Sequence, residues 1–422
     1  MKYFVTALCF LMLLTGCIES DVVLKSSPHI KTFKFGSHNA APGIENIVFT
    51  VDSINCVVYN EDSIAYNSNI TKLFPTITYT GTPKEVKMNG VSWADTDSLD
   101  FTNPVSMYIL SQNKQNEATY TITVNKHRVN PDEIIWKDPI TIANQVNSFQ
   151  VASTQQGVYV FANTHLNDTY QYNLYCNTGN GWVSVSNFQS AHNITSLGTY
   201  QNEIYAIDQD GTVLLKFEQD QWITVSSLTE GKMTTLLGEQ DNALWIAASN
   251  NDHSVLMAYN GQVLQENTQA TLPALFALED ATPLQTPYGL YLIGGKKDGV
   301  AQNCILSSDN GYYWTNILNQ SGAYAITPCY NAICAYYHHQ IYVIGGLNND
   351  AVVTNNYTSN NNGYSWQLMP SYQQIPQPFE YQKGASAAVF NNNLYVFSYN
   401  KTQQQTLEVW EGRIRKVDFI RQ

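Results

Sequence analysis

Downstream of residue 155 one short hydrophobic pattern recurs six times, at 158–161, 204–207, 244–247, 290–293, 341–344 and 394–397. Each copy is apolar throughout and carries an aromatic residue second: Tyr159, Tyr205, Trp245, Tyr291, Tyr342 and Tyr395. A run of four to six apolar residues bounded by turn residues reads as a strand buried on both faces. A further strand precedes each copy across a tight polar turn, clearest at Asn391-Asn392-Asn393 and again at Gln201-Asn202-Glu203. Asn tolerates the positive φ that such turns need. After each copy come a variable loop, a third strand, a turn and an outer strand, which carries Trp182, Trp222, Trp314 or Trp366 in four of the copies.

The aromatic positions lie 46, 40, 46, 51 and 53 residues apart. A strand-rich repeat of roughly 40–50 residues is the signature of a propeller blade. The pattern therefore predicts a six-bladed β-propeller over 134–422, and the 44% hydrophobic content is ample for its core. Two candidates offer to close the ring. Ile134-Ile135-Trp136 reads as an outer strand placed ahead of the first blade, and is the preferred clasp. The alternative is a third and an outer strand drawn from 407–419, with a partial seventh blade.

Residues 28–128 read differently. Alternating strands are expected at 30–35, 47–51, 57–59, 77–80, 105–109 and 120–124, rich in Val, Thr, Tyr and Ile between Gly, Pro and Asn turns. About 100 residues with this many strands fit a β-sandwich. Val129-Asn130-Pro131-Asp132-Glu133 is then the linker.

Composition narrows the setting. Charged residues make up only 13% and the net charge is −13, which argues against a nucleic-acid partner, since that needs a basic face. Arginine is confined to Arg128, Arg413, Arg415 and Arg421. Beyond Cys9 and Cys17, five cysteines remain: Cys56, Cys176, Cys304, Cys329 and Cys334. An odd number leaves at least one thiol free or paired between chains. A Cys329–Cys334 bridge is open, and small buried apolar residues are the simpler reading.

At the front, Lys2 precedes an apolar run over 3–14, the length of a signal-peptide core and too short to span a bilayer. It ends in Leu14-Thr15-Gly16-Cys17, which resembles a bacterial lipobox. The resemblance implies cleavage after residue 16, a lipid on Cys17 and a tether over 17–27; an ordinary secretory signal is the alternative. Glu19 and Asp21 just behind the cysteine resemble the surface-export signal of Bacteroidota lipoproteins. The expected location is the outer membrane or cell surface of a Gram-negative bacterium, anchored rather than inserted.

Further resemblances lie in the two domains. Gly294-Gly295 and Gly345-Gly346, each about twenty residues before Trp314 or Trp366, resemble kelch repeats, in which paired glycines end the second strand. Ser307, Asp309, Gly311 and Trp314 resemble the Asp-box of sialidase-type propellers, and 359–366 is a worn copy with Asn361 in place of the aspartate. The resemblance implies a structural turn between outer strands rather than a catalytic group. Segments 99–105 and 118–124 resemble the closing hairpin of bacterial immunoglobulin-like lipoprotein modules. The expected fold class is thus all-β, an immunoglobulin-like β-sandwich followed by a six-bladed kelch-like propeller. As a whole the plan resembles Bacteroidota surface lipoproteins of unknown function.

Propellers host catalysis, binding and scaffolding alike, so function rests on the site. Sialidases hold a carboxylate with three arginines, because a planar fork fits it; the repeats nearly lack arginine, which excludes that activity. Galactose oxidase, also a kelch propeller, needs converging copper ligands. Here only His338 and His339 are adjacent, and as strand-end neighbours they are expected on opposite faces. No metal and no cofactor is expected. Sugar hydrolysis needs two facing carboxylates, for which Asp168, Asp208, Asp210, Asp252, Asp298 and Asp350 in the loops after the second strands are available. A carbohydrate hydrolase or lyase is therefore the alternative. The first reading is a binding protein whose loops present His165, Asp168, Tyr170, Asp252, His253, Lys297, Asp298 and Asp350 to a glycan or a protein, since amides and carboxylates bond hydroxyls and aromatic faces pack on sugar rings.

Overall fold

A computed structural model describes residues 28–166, 169–250, 253–276, 279–318, 325–403 and 405–415. Contacts divide the chain after Pro131 into two units. Both are built from strands, with no α-helix among the described residues.

In the first unit Ile30–Phe35 pairs antiparallel with Pro75–Tyr79. A second sheet has six strands in the order Phe49–Asp52, Val57–Asn60, Glu117–Thr123, Val105–Ser111, Pro83–Met88 and Val91–Ser92. Its one parallel pair joins Val57–Asn60 to Glu117–Thr123. Alternation along Val105–Ser111 sends Val105, Met107 and Ile109 inward, each fully buried. There they join Phe33, Phe35, Phe49 and Phe101, whose rings meet edge to face. Burying one such ring contributes about 2 kcal/mol. Two strands escaped the sequence pattern, Pro83–Met88 and Val91–Ser92. Lys84, Glu85 and Lys87 give the first little apolar alternation, as suits a sheet margin.

The second unit is a ring of six antiparallel blades. The innermost strands are Ser148–Ser153, Ile194–Tyr200, Lys232–Gln240, Thr282–Thr286, Ile333–Tyr337 and Ser386–Phe390. Each neighbours the next, and the last neighbours the first, so the ring is closed. The aromatic strands of the repeat are the second strands: Val158–Leu166, Glu203–Asp208, Ala243–Asn250, Gly289–Ile293, Gln340–Ile344 and Asn393–Tyr399. They are apolar on both faces because a blade lies against each side; Leu290, Ile293, Tyr342, Leu394 and Val396 are fully buried. The recurrent tryptophans fasten blade to blade. Trp182 of the first blade meets Tyr395 and Phe397 of the sixth edge to face, and Trp222 of the second lies 5.0 Å from Phe161 of the first.

The N-terminal strand closes the ring. Ile134–Trp136 and Ile140–Ala143 both pair with Leu407–Ile414, the third strand of the sixth blade. Because Leu407–Ile414 runs unbroken, Arg413 and Ile414 belong to that third strand and not to a new outer one. Two polar links bind the seam, Lys137 to Glu411 at 2.7 Å and Arg415 to Glu133 at 2.9 Å.

Four of the six turns between first and second strands follow one recipe. Gln201-Asn202, Asp241-Asn242, His338-His339 and Asn391-Asn392 all have positive φ at both residues, the signature of two-residue hairpin turns. His338 and His339 are therefore turn residues, not strand-end residues on opposite faces. The paired glycines end second strands in the left-handed region: Gly294 at φ +65° and Gly345 at +64°. A Cβ at Gly345 would lie 2.5 Å from the Tyr381 ring.

Candidate functional site

The six inner strands wall a central channel that opens at both ends. The starts of the inner strands and the ends of the second strands share one end, since Ser148 pairs with Asn163 and Thr282 with Ile293. This upper mouth is a cavity of about 570 Å³. The lower mouth, ringed by the tight turns, is about 490 Å³. Val151, Cys334 and Ala387 line both and form the waist between them.

Hydroxyls and amides dominate the upper wall. Ser148, Thr195, Ser196, Thr234, Thr235 and Ser386 come from inner strands, and Asn147 and Asn331 from the approaches to them. Asn331 has φ +53°, and its Nδ2 is buried with no partner, while its carbonyl accepts the Tyr381 hydroxyl at 2.6 Å. Thr282 donates to the Ala332 carbonyl at 2.8 Å. Asp280 and Lys383 are the charged groups among the described lining residues. Asp280 is engaged with the Lys296 ammonium at 2.8 Å, which Glu279 also reaches at 3.2 Å and which lies 4.7 Å from the Tyr330 ring centre. The Asp280 carboxylate, followed by that of Glu279, holds Lys296 above the ordinary lysine range.

The loops after the second strands are mostly hairpin extensions standing on the same end. His165 pairs with Tyr170, Asn250 with His253, Lys297 with Val300 and Asn348 with Ala351. Asp168 and Asp252 lie outside the described residues. His253, Lys297, Asp298 and Asp350 are exposed and Tyr170 is half-buried. Asp298 and Asp350 occupy turn positions with φ +51° and +61°, and Asp350 accepts the Tyr330 hydroxyl at 2.6 Å. Asp208 is buried; its Oδ1 accepts Thr212 N–H at 3.2 Å and its Oδ2 lies 3.5 Å from His192. None of the described loop candidates lines the cavity. Its wall comes from the inner strands, whose runs of Thr and Ser at 195–196 and 234–235 were the available sequence signal.

Two other groups of residues lie apart from this cavity or beside it. In the 307–314 turn Asp309 is exposed, and the acceptor is its neighbour Asn310, whose Oδ1 receives the N–H groups of Tyr312 and Tyr313 at 2.9 and 3.0 Å. The motif residues Ser307, Gly311 and Trp314 surround it; Gly311 takes φ +80° and its carbonyl accepts the Trp314 indole at 3.0 Å. In the worn copy Asn361 does the work expected of the aspartate, accepting Ser365 N–H at 3.0 Å and the Ser359 hydroxyl at 2.9 Å. The five described cysteines are all free, so Cys329 and Cys334 form no bridge. Burial pushes the Cys304 and Cys329 thiols up to about 12. Among the described residues no group of three His, Cys, Asp or Glu side chains is placed to hold a metal ion.

Six blades, an N-terminal strand that seals them and a hydroxyl-lined channel define a β-propeller protein preceded by a separate β domain. The chain belongs to the DUF6242 family: residues 130–422 match the DUF6242 beta propeller domain, and residues 25–124 match the domain of unknown function (DUF6242) N-terminal domain. No curated protein matches it.

Proposed function

We propose that this is a ligand-binding protein whose upper mouth takes a neutral, polyhydroxylated ligand, a glycan. The observation that carries the reading is the wall of that cavity. Apart from Asp280 and Lys383, its polar side chains are hydroxyls and amides, able both to donate and to accept, which suits sugar hydroxyls. Its volume falls in the range of about 300–1,000 Å³ typical of small-molecule sites. Asp280 is the one carboxylate among the described lining residues and is already paired with Lys296. Glycoside hydrolysis by a carboxylate pair needs two, so binding without turnover is favoured. The hairpins carrying His165, Tyr170, His253, Lys297, Asp298 and Asp350 stand on the same end and extend the surface offered to a longer ligand.

The setting is part of the proposal. A lipid on Cys17 anchors the chain outside the membrane of a Gram-negative cell, with the first β domain, read as immunoglobulin-like, as spacer and the propeller, read as kelch-related, presented outward. The lipobox pattern at 14–17 supports this. Replacing Cys17 with Ser then releases the protein from the membrane fraction; retention there overturns the anchor.

The binding reading is tested by a glycan array probed with the full chain in detergent, followed by a turnover assay on each hit. Binding of a neutral glycan, weakened about five- to tenfold by Thr235→Val or Asn331→Ala as one hydrogen bond is lost, is the expected result. Turnover of a hit makes the protein an enzyme, and silence on the array points to a protein ligand; either overturns the reading.

A further inference from the structure

The lower mouth differs from the upper in its chemistry. Neighbouring blades are linked around it, turn by turn. Gln155 N–H donates to Asn202 Oδ1 at 2.7 Å, Gln201 N–H to Glu239 Oε2 at 2.8 Å, and Gln285 Nε2 to the Glu239 carbonyl at 2.9 Å. Tyr337 donates to the Asn392 carbonyl at 2.8 Å, and Ser153 to that of Val389 at 2.8 Å. The sixth junction, between the fourth and fifth blades, is aromatic: Tyr288 and Tyr336 meet edge to face, 6.2 Å apart at 77°. Tyr288 is 52% exposed and Tyr336 lines the cavity.

The geometry points to a second binding site at this lower mouth, for a neutral sugar ring that stacks on the exposed ring of Tyr288, which stands edge to face with Tyr336, and turns its hydroxyls to Gln155, Asn202 and Glu239. An aromatic face carries negative charge density and attracts the polarised C–H groups on one face of a pyranose. Sugar hydroxyls, directed sideways, then need groups that both donate and accept. The side chains of Gln155 and Asn202 are amides on the wall, and Glu239, with one oxygen engaged by Gln201, retains acceptor capacity on the other. No Lys or Arg is among the described lining residues, and Glu239 is the one carboxylate, so an anionic sugar is disfavoured and a neutral one fits. The cavity of about 490 Å³ meets the upper one at Val151, Cys334 and Ala387.

The test is titration of the full chain in detergent with a panel of short neutral gluco-, manno-, galacto- and xylo-oligosaccharides. It is combined with nitration of exposed tyrosines, read by peptide mass spectrometry with and without sugar. A binding oligosaccharide is expected to shield Tyr288 from nitration. Tyr288→Ala is expected to weaken it roughly tenfold while Tyr288→Phe, which keeps the ring face, stays within about twofold of wild type. Tyr288→Ala also removes the ring contact that joins the fourth and fifth blades, whereas Tyr288→Phe keeps it, so thermal unfolding is followed alongside, and loss of binding in a variant that still unfolds cooperatively reads the site and not the fold. Three results overturn the proposal: no member of the panel binds, a sugar binds but leaves Tyr288 fully reactive, or a proline-rich peptide takes the platform in place of every sugar. A sugar that leaves Tyr288 reactive and is lost with Asn331→Ala belongs to the upper mouth, so the two sites fail separately.

Discussion

Trp136 lies directly across the closing seam from Gly412, and its ring covers the place where a side chain would be. A Cβ on Gly412 would come 2.8 Å from both Trp136 Cε3 and Ile134 Cγ2. The two residues come from opposite ends of the propeller sequence, so this contact joins the chain's beginning to its end. Gly412→Val forces the ring off the strand. Overpacking of this kind costs about 1–3 kcal/mol. Calorimetric unfolding should show a lowered Tm, and hydrogen exchange should quicken first in 134–143 and 407–414; an unchanged Tm would mean that the clasp is not a point of tension.

The glycines of positive φ divide into those that need space and those that need only conformation. Gly345 has φ +64° and would place a Cβ 2.5 Å from the Tyr381 ring, whereas Gly299 has φ +76° with open space around it. Gly299→Ala should cost about 1–2 kcal/mol, the left-handed penalty alone. Gly345→Ala adds displacement of a buried ring and should cost more by at least about 1 kcal/mol. Denaturant midpoints of the two variants make the comparison, and equal costs would sink it.

Not every blade tryptophan is held alike. The indoles of Trp314 and Trp366 donate to the Gly311 and Gly363 carbonyls at 3.0 Å, but those of Trp182 and Trp222 are buried without an acceptor. Trp314→Phe discards a made hydrogen bond and strands a carbonyl, while Trp222→Phe discards an unmade one. Both lose volume, so the difference reports the bond: Trp314→Phe is expected to be about 1–2 kcal/mol more costly. A Trp222→Phe variant at least as unstable would contradict it.

Alkali should unfold the propeller before it would unfold a protein with exposed thiols and phenols. Burial raises Cys304 and Cys329 from 9.0 to about 12, Cys334 well above 9.0, and Tyr172 and Tyr399 from 10.0 to about 12. Above about pH 9 the unfolded chain gives up these protons while the native one keeps them. The unfolded state then binds fewer protons, so stability falls with rising pH. It is fully present below that point and is lost as pH climbs towards about 12. Urea midpoints taken from about pH 8 to about pH 11 should decline steadily, and iodoacetamide should leave these three thiols unmodified in the native protein at neutral pH. A flat profile or ready alkylation would show the thiols to be accessible.

What could be read from the sequence follows from locality. Tyr159, Tyr205, Trp245, Tyr291, Tyr342 and Tyr395 announce the second strands because a strand buried on both faces must be apolar along its whole length, and that requirement repeats with each blade. The tight turn at Asn391-Asn392 is equally legible, since positive φ is a property of the residue itself. The margin strands Pro83–Met88 and Val91–Ser92 were not, because a sheet edge half in solvent imposes no pattern. His338 and His339 misled for a related reason: histidine seldom marks a turn, and only the register of Ile333–Tyr337 against Gln340–Ile344 reveals one.

The sequence by itself determined an all-β chain and its six repeated blades, because hydrophobic periodicity and turn chemistry act over a few residues. Tertiary structure decided the rest. Trp136 is chosen as clasp because Leu407–Ile414 continues through Arg413 and leaves one free edge. The channel is lined by Thr235, Asn331 and Glu239, and not by the described loop acids, because inner-strand residues far apart in sequence converge only when the ring closes. Pairing of Asp280 with Lys296, and of Tyr288 with Tyr336, likewise depends on which blade meets which, and no local preference encodes that distance.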